Sequence, residues 1–138
     1  MNSNILVVED EEAISRVLVK ILSEAFETYE IEAAFDGQSA IEMIQSKDYA
    51  LVLCDIKMPK MDGVEVLIKA KERAPFTSFI MISGHGDLET AVETMRLGAF
   101  DYISKPPDLN RLLTAARNAL EKKDLLVENT LLKQKVSN

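Results

Sequence analysis

Five residues at the ends of four apolar runs carry the chemistry of this chain. Asp55 closes the wholly apolar run Leu51-Val52-Leu53-Cys54, Glu9 and Asp10 close a second apolar run at Asn4-Ile5-Leu6-Val7-Val8, and Ser83 and Lys105 follow two further short apolar runs. Three carboxylates gathered at one point repel each other by roughly 3 kcal/mol per pair at 5 Å with an effective dielectric of 20, so they call for a cation. An oxygen-only donor set suits a hard divalent ion, Mg²⁺ or Mn²⁺, rather than zinc, and no His/Cys set competes. With that ion in place, one carboxylate can attack phosphorus to give an aspartyl phosphate. Lys105 would neutralise the developing charge, the Ser83 hydroxyl would donate to a phosphoryl oxygen, and Gly84 leaves room for it. Taken singly, the residues have plainer readings. Asp55 could end a strand or cap a helix, Lys105 could be a solvated charge, and Glu11 and Glu12 are explained by the preference of acids for a first helical turn.

These residues meet only if the elements behind them do. Asn4–Val8, 29–34, Leu51–Asp55, 79–82 and Asp101–Ser104 read as strands. Between them run helical patterns: Ile14, Val17, Leu18, Ile21 and Leu22 form one stripe, and Ala40, Ile41 and Ile44 the next. Val64, Leu67 and Ile68 follow Gly63, in a helix ending near Ala74-Pro75. Leu88, Ala91, Val92 and Met95 share a face between the N-cap Asp87 and the C′ residue Gly98. Leu109, Leu112, Leu113, Ala116 and Leu120 begin a last helix, and no Gly or Pro interrupts the chain from Asp108 onward, so this helix is expected to be extended. Alternating strands and helices predict an α/β fold, a flavodoxin-like, doubly wound, five-stranded parallel sheet of order 2-1-3-4-5 with five helices. Strands one and three are then neighbours at the switch point, so Glu9, Asp10 and Asp55 share one crevice with Ser83 and Lys105 beside them.

Composition narrows the setting. The chain has 138 residues, 47% hydrophobic and 28% charged, which suits one globular domain with its own core. A single cysteine, Cys54, excludes an internal disulfide and points to a reducing compartment. No apolar run reaches membrane-spanning length and the start lacks a signal-peptide pattern, so a cytoplasmic location and no membrane contact are expected. The net charge of -7, without a basic cluster, argues against direct nucleic-acid binding by this segment.

Over its first 120 or so residues the sequence resembles the response-regulator receiver domains of bacterial two-component signalling. The resemblance rests on Leu6-Val7-Val8-Glu9-Asp10-Glu11, Asp55 with Met58-Pro59 and Met61-Asp62-Gly63, Ile82-Ser83-Gly84, and Tyr102 with Lys105-Pro106, all in the family's order. It implies a signalling switch rather than an enzyme of rapid turnover, phosphorylated by a sensor histidine kinase. Asp55 would be the phosphoacceptor, Asp10 the direct metal-binding acid, Glu9 the second acid acting through water, and Lys57 the source of a backbone carbonyl for the ion. Ser83 would be the switch hydroxyl, Tyr102 the rotating aromatic and Lys105 the phosphate-contacting lysine, joined to Pro106 by a cis bond. His85 and Lys57 stand where the family tunes phosphoryl hydrolysis. Two departures are Glu9, where aspartate is commoner, and Pro107, where a bulky apolar residue is usual.

Two rivals on similar folds are disfavoured. A haloacid-dehalogenase-type phosphatase would carry a second aspartate where Lys57 stands. A flavin carrier would need a hydroxyl- and Gly-rich cradle where Glu9-Asp10-Glu11-Glu12 would repel phosphate. The stretches 84–92 and 98–102 resemble receivers of the nitrogen-regulation class, which commonly precede ATPase and DNA-binding domains that activate transcription. Residues 1–121 are then the receiver and 122–138 a helical linker toward an output domain outside this chain. In that linker Leu125, Asn129, Leu132 and Val136 fit a heptad seam for a homodimer, with Asn129 at an a position and Glu128 and Lys133 able to pair between chains. A solvated helix end is the alternative.

Overall fold

A computed structural model describes residues 3–84 and 88–136, with 123–136 given as helical backbone. The strands are β1 (Asn4–Val8), β2 (Glu30–Ala34), β3 (Leu51–Asp55), β4 (Ser78–Ser83) and β5 (Asp101–Ser104). Between and after them run α1 (Glu12–Ala25), α2 (Gly37–Ser46), α3 (Gly63–Arg73), α4 (Leu88–Arg96) and α5 (Leu109–Val136). The five strands form one sheet in the order β2-β1-β3-β4-β5, with every pairing parallel, as the alternation of patterns predicts.

Strand periodicity divides the core between two faces. Leu6, Val8, Val52, Cys54, Phe79 and Met81 pack with Ala40 and Ile44 of α2, Val66 and Leu67 of α3, and Ala91 of α4. Ile5, Val7, Leu51, Leu53, Ile80 and Ile82 pack with Leu18 and Leu22 of α1 and Leu112, Ala115, Ala116 and Ala119 of α5. The central strands β3 and β4 are buried along their whole length, which explains why their sequences are continuous apolar runs rather than alternating ones.

Helix faces depart from the periodic reading at several positions. Some small residues join the leucines at inward positions while individual larger apolar ones are turned outward: Ser15 is buried beside Leu18 and Leu22 while Val17 is exposed on α1, and Ala70 is buried beside Val66 and Leu67 while Ile68 is exposed on α3. On α4 the inward pair is Ala91 and Thr94, leaving Leu88, Val92 and Met95 exposed, and Leu109 of α5 is exposed as well. Thr94 satisfies its buried hydroxyl by donating to the Ala91 carbonyl at 2.6 Å.

Asp36 and Asp62 cap α2 and α3, each accepting from the backbone N–H three residues on, at 2.7 Å and 3.0 Å. Gly98 has φ +106°, the left-handed conformation expected of a residue ending α4. The cap assigned to Asp87 and the hydrolysis-tuning place of His85 lie outside the described residues. So do the side chains of the Leu125–Asn129–Leu132–Val136 seam, although α5 does run uninterrupted through that stretch to Val136.

Candidate functional site

Register brings the acids together. Val8 pairs with Cys54 across β1 and β3, so the next residue of each strand, Glu9 and Asp55, emerge side by side. Glu9 continues the strand line, its N–H donating to the Ala34 carbonyl at 3.1 Å, before α1 begins. Asp10, one residue further, is the most open of the three. One carboxylate oxygen from each of Glu9, Asp10 and Asp55 lies within 4.8 Å of the others.

Two of these acids are out of water: Glu9 is 1% exposed and Asp55 4%. Burial pushes the Glu9 carboxyl up to about 7, with the Asp55 charge adding to the rise, while the Glu11 N–H and Lys105 pull the other way. Lys105 reaches in from the end of β5 and donates to Asp55 Oδ2 at 3.0 Å and to Glu9 Oε1 at 3.1 Å. Its own burial opposes the charge, but the two carboxylates outweigh that and hold its ammonium above the ordinary lysine range. One cation thus offsets part of a site carrying three acids. The all-oxygen donor set and the residual crowding fit a hard divalent ion held by Glu9, Asp10 and Asp55.

The remaining predicted residues surround this centre. Asp55 pairs with Ile82 and Ser83 with Ser104, so the Ser83 hydroxyl sits one strand over from the acids, buried at 3% exposure. The Ser83 carbonyl also accepts from the Lys105 N–H at 2.7 Å, fixing the start of the turn that delivers the lysine. The Lys105–Pro106 bond is cis, as the resemblance implies. Lys57 is exposed in the loop after β3, two residues past Asp55; Ile56, Lys57, Met58 and Thr90 help to line a recess of about 530 Å³ there. Tyr102 is half-buried on β5 and packs against the cluster that contains Ala91 and Ala99.

Two contacts escape a reading by motif alone. Gly63 is needed by close approach: a Cβ there would stand 2.3 Å from the Asp55 carbonyl oxygen and 2.8 Å from the Ile56 Cα. Its N–H donates to the Ile56 carbonyl at 2.7 Å, closing the loop that begins at Asp55. The Asp62-Gly63 dipeptide signals a helix start, but nothing in the sequence says which backbone presses on it. Arg111 makes the other: its guanidinium donates to both Asp101 oxygens at 2.8 Å and to the Tyr102 carbonyl at 3.0 Å, clamping the first turn of α5 to β5. A ten-residue spacing across a loop gives no periodic signal.

Comparison with known proteins places this geometry in a family. A family model described as the response regulator receiver domain matches residues 5–117. The nitrogen assimilation regulatory protein NtrX of Azorhizobium caulinodans is 38% identical over 136 residues, covering 97% of this chain and 30% of that protein. A putative NtrX-like response regulator of Rickettsia bellii is 36% identical over 135 residues, covering 96% of this chain and 28% of that one. The chain therefore spans less than a third of the length of these curated relatives. The crystal structure of the receiver domain of NtrX from Brucella abortus superposes with a TM-score of 0.79 at 42% identity, over 85% of this chain and 98% of that one. With the fold, the strand-end acids and the matched sequence in agreement, the chain belongs to the response regulator receiver domain family, the switch modules of two-component signalling.

Proposed function

We propose that Asp55 accepts a phosphoryl group from a sensor histidine kinase in a Mg²⁺-dependent reaction, and that α4, β5 and α5 relay the change. The observation that carries this reading is the contact of Lys105 with both Asp55 and Glu9 at the mouth of β3. An Asp55 carboxylate oxygen attacks phosphorus, the phosphoryl–nitrogen bond of the donor breaks, and the histidine leaves with its electron pair. Asp10, Asp55 and the Lys57 carbonyl, with Glu9 acting through water, would hold Mg²⁺, which would supply charge neutralisation for the transferring oxygens. Lys105 exchanges its Asp55 contact for one to a phosphoryl oxygen, and the Ser83 hydroxyl donates to another. Drawing Ser83 toward Asp55 opens space into which Tyr102 turns, and this change biases the α4–β5–α5 face.

That face carries exposed Leu88, Val92, Met95 and Leu109, apolar surface suited to a partner that reads the switch, a second copy included. Residues 1–121 act as the receiver, and 122–138 serve as a linker toward an output domain that regulates transcription. The activity is that of a switch, limited to self-phosphorylation and self-dephosphorylation. Incubation with a small-molecule phosphodonor should add one phosphoryl group per chain in Mg²⁺, seen by intact mass, and none in chelator. Equal labelling with and without the ion would overturn the reading.

A further inference from the structure

A groove of about 680 Å³ runs beside the acidic site, between the turn that follows β2 and the loop that follows β3. Phe35, Pro59 and Met61 supply its apolar lining. Phe35 is 45% exposed, an aromatic ring left in water at the end of a strand whose next residue begins a capped helix. The two walls are locked to each other. A Cβ on Gly37 would lie 2.8 Å from both the Cβ and the carbonyl oxygen of Met61, so only glycine lets the α2 N-terminus close on the opposite loop. Asp36 and Asp62 pin both helix starts through their caps, so the groove is preformed.

Its rim is strongly one-signed. Asp10, Asp36, Glu42 and Glu65 stand around it, and Lys60 is the lining residue of opposite charge. The Ser39 N–H holds Asp36 below the ordinary carboxylate range, so that charge persists at neutral pH. The whole chain adds a net charge of -7, which repels anions and steers cations toward the groove. A metal ion alone would have no use for an exposed Phe35, and an anionic membrane or a nucleic acid would meet four carboxylates.

We infer that this groove docks a polypeptide segment of a partner protein in which a large apolar side chain is flanked by lysine or arginine. The apolar residue packs on Phe35 and Met61, and the flanking cations face the carboxylate rim, with an arginine also able to stack on the Phe35 ring. The inference does not depend on the phosphoryl chemistry proposed for Asp55, but the groove adjoins that site: Asp10 lines both places, so the segment would lie directly against the acidic site.

The probe is a capped peptide of alternating leucine and lysine, titrated into the full ¹⁵N-labelled chain and followed by amide shifts. Saturable shifts should concentrate in residues 35–42 and 59–65. Phe35→Ser should weaken binding about tenfold or more, as loss of a central anchor does, and so should the double reversal Glu42→Lys with Glu65→Lys. Both changes are at exposed positions, so the fold persists in each. A peptide of alternating leucine and glutamate should not bind. Equal binding by a lysine–serine peptide, shifts centred on other residues, or indifference to both variants would each overturn the inference. Shifts in 35–42 and 59–65 on concentrating the protein alone would assign the groove to a second copy and overturn it too.

Discussion

Placing Glu9 out of water beside Asp55 makes the metal-free fold pH-sensitive in a direction opposite to most carboxylates. Its folded-state value is about 7 against an ordinary 4.5, so folding favours the protonated form. Stability from this group is fully present below about pH 4.5 and is lost as pH rises through about 7. At 1.36 kcal/mol per unit the difference amounts to about 3 kcal/mol, and with Glu9 only 1% exposed solvent screening does little to reduce it. Asp36, Glu32 and Asp101 are shifted downward and act the other way, losing stability as pH falls. The informative quantity is therefore the difference between the parent and Glu9→Gln. Urea melts in chelator from pH 5 to pH 8 should show the parent losing about 2–3 kcal/mol relative to the variant. Adding Mg²⁺ at pH 8 should restore the parent and not the variant. Parallel stability curves for the two proteins across that range would refute the reasoning.

Other perturbations test other links. Gly63→Ala forces a methyl to within 2.3 Å of the Asp55 carbonyl oxygen and should destabilise the domain by about 2–3 kcal/mol in chemical melts, with amide shifts confined to the loop after β3. Arg111→Gln removes the bidentate pair with Asp101 and should cost about 1 kcal/mol or less, because the guanidinium is half in solvent; hydrogen exchange should rise in the first turn of α5. Ending the chain at Lys122 should reduce self-association in sedimentation if the seam from Leu125 to Val136 is used, and an unchanged profile would show that the extension of α5 adds nothing.

The order of strands and the identity of the strand-end residues were legible because both follow from one pattern. Apolar runs at Leu51–Cys54 and Ile5–Val8 each deliver acids to a carboxyl end, and parallel pairing then makes Glu9 and Asp55 neighbours. Helix faces were less legible. On α4 the apolar stripe reads Leu88, Ala91, Val92 and Met95, but the buried face is set by Ala91 with the hydroxyl-satisfied Thr94, and Leu88, Val92 and Met95 face out, a rotation that hydrophobicity alone does not signal. Contacts between backbones were hidden altogether: nothing in Asp62-Gly63 shows that the Asp55 carbonyl presses on the glycine. The Asp101–Arg111 pair was hidden for the same reason, since a loop rather than a helical repeat sets its spacing.

The central claim is that Asp55, rather than Glu9 or Asp10, takes the phosphoryl group. Its most direct test is the intact mass of the parent and of Asp55→Asn, each incubated with the same small-molecule phosphodonor and Mg²⁺. The parent should gain one phosphoryl group and the variant none, although the variant remains folded by circular dichroism. Labelling of Asp55→Asn to the same extent as the parent would contradict the assignment.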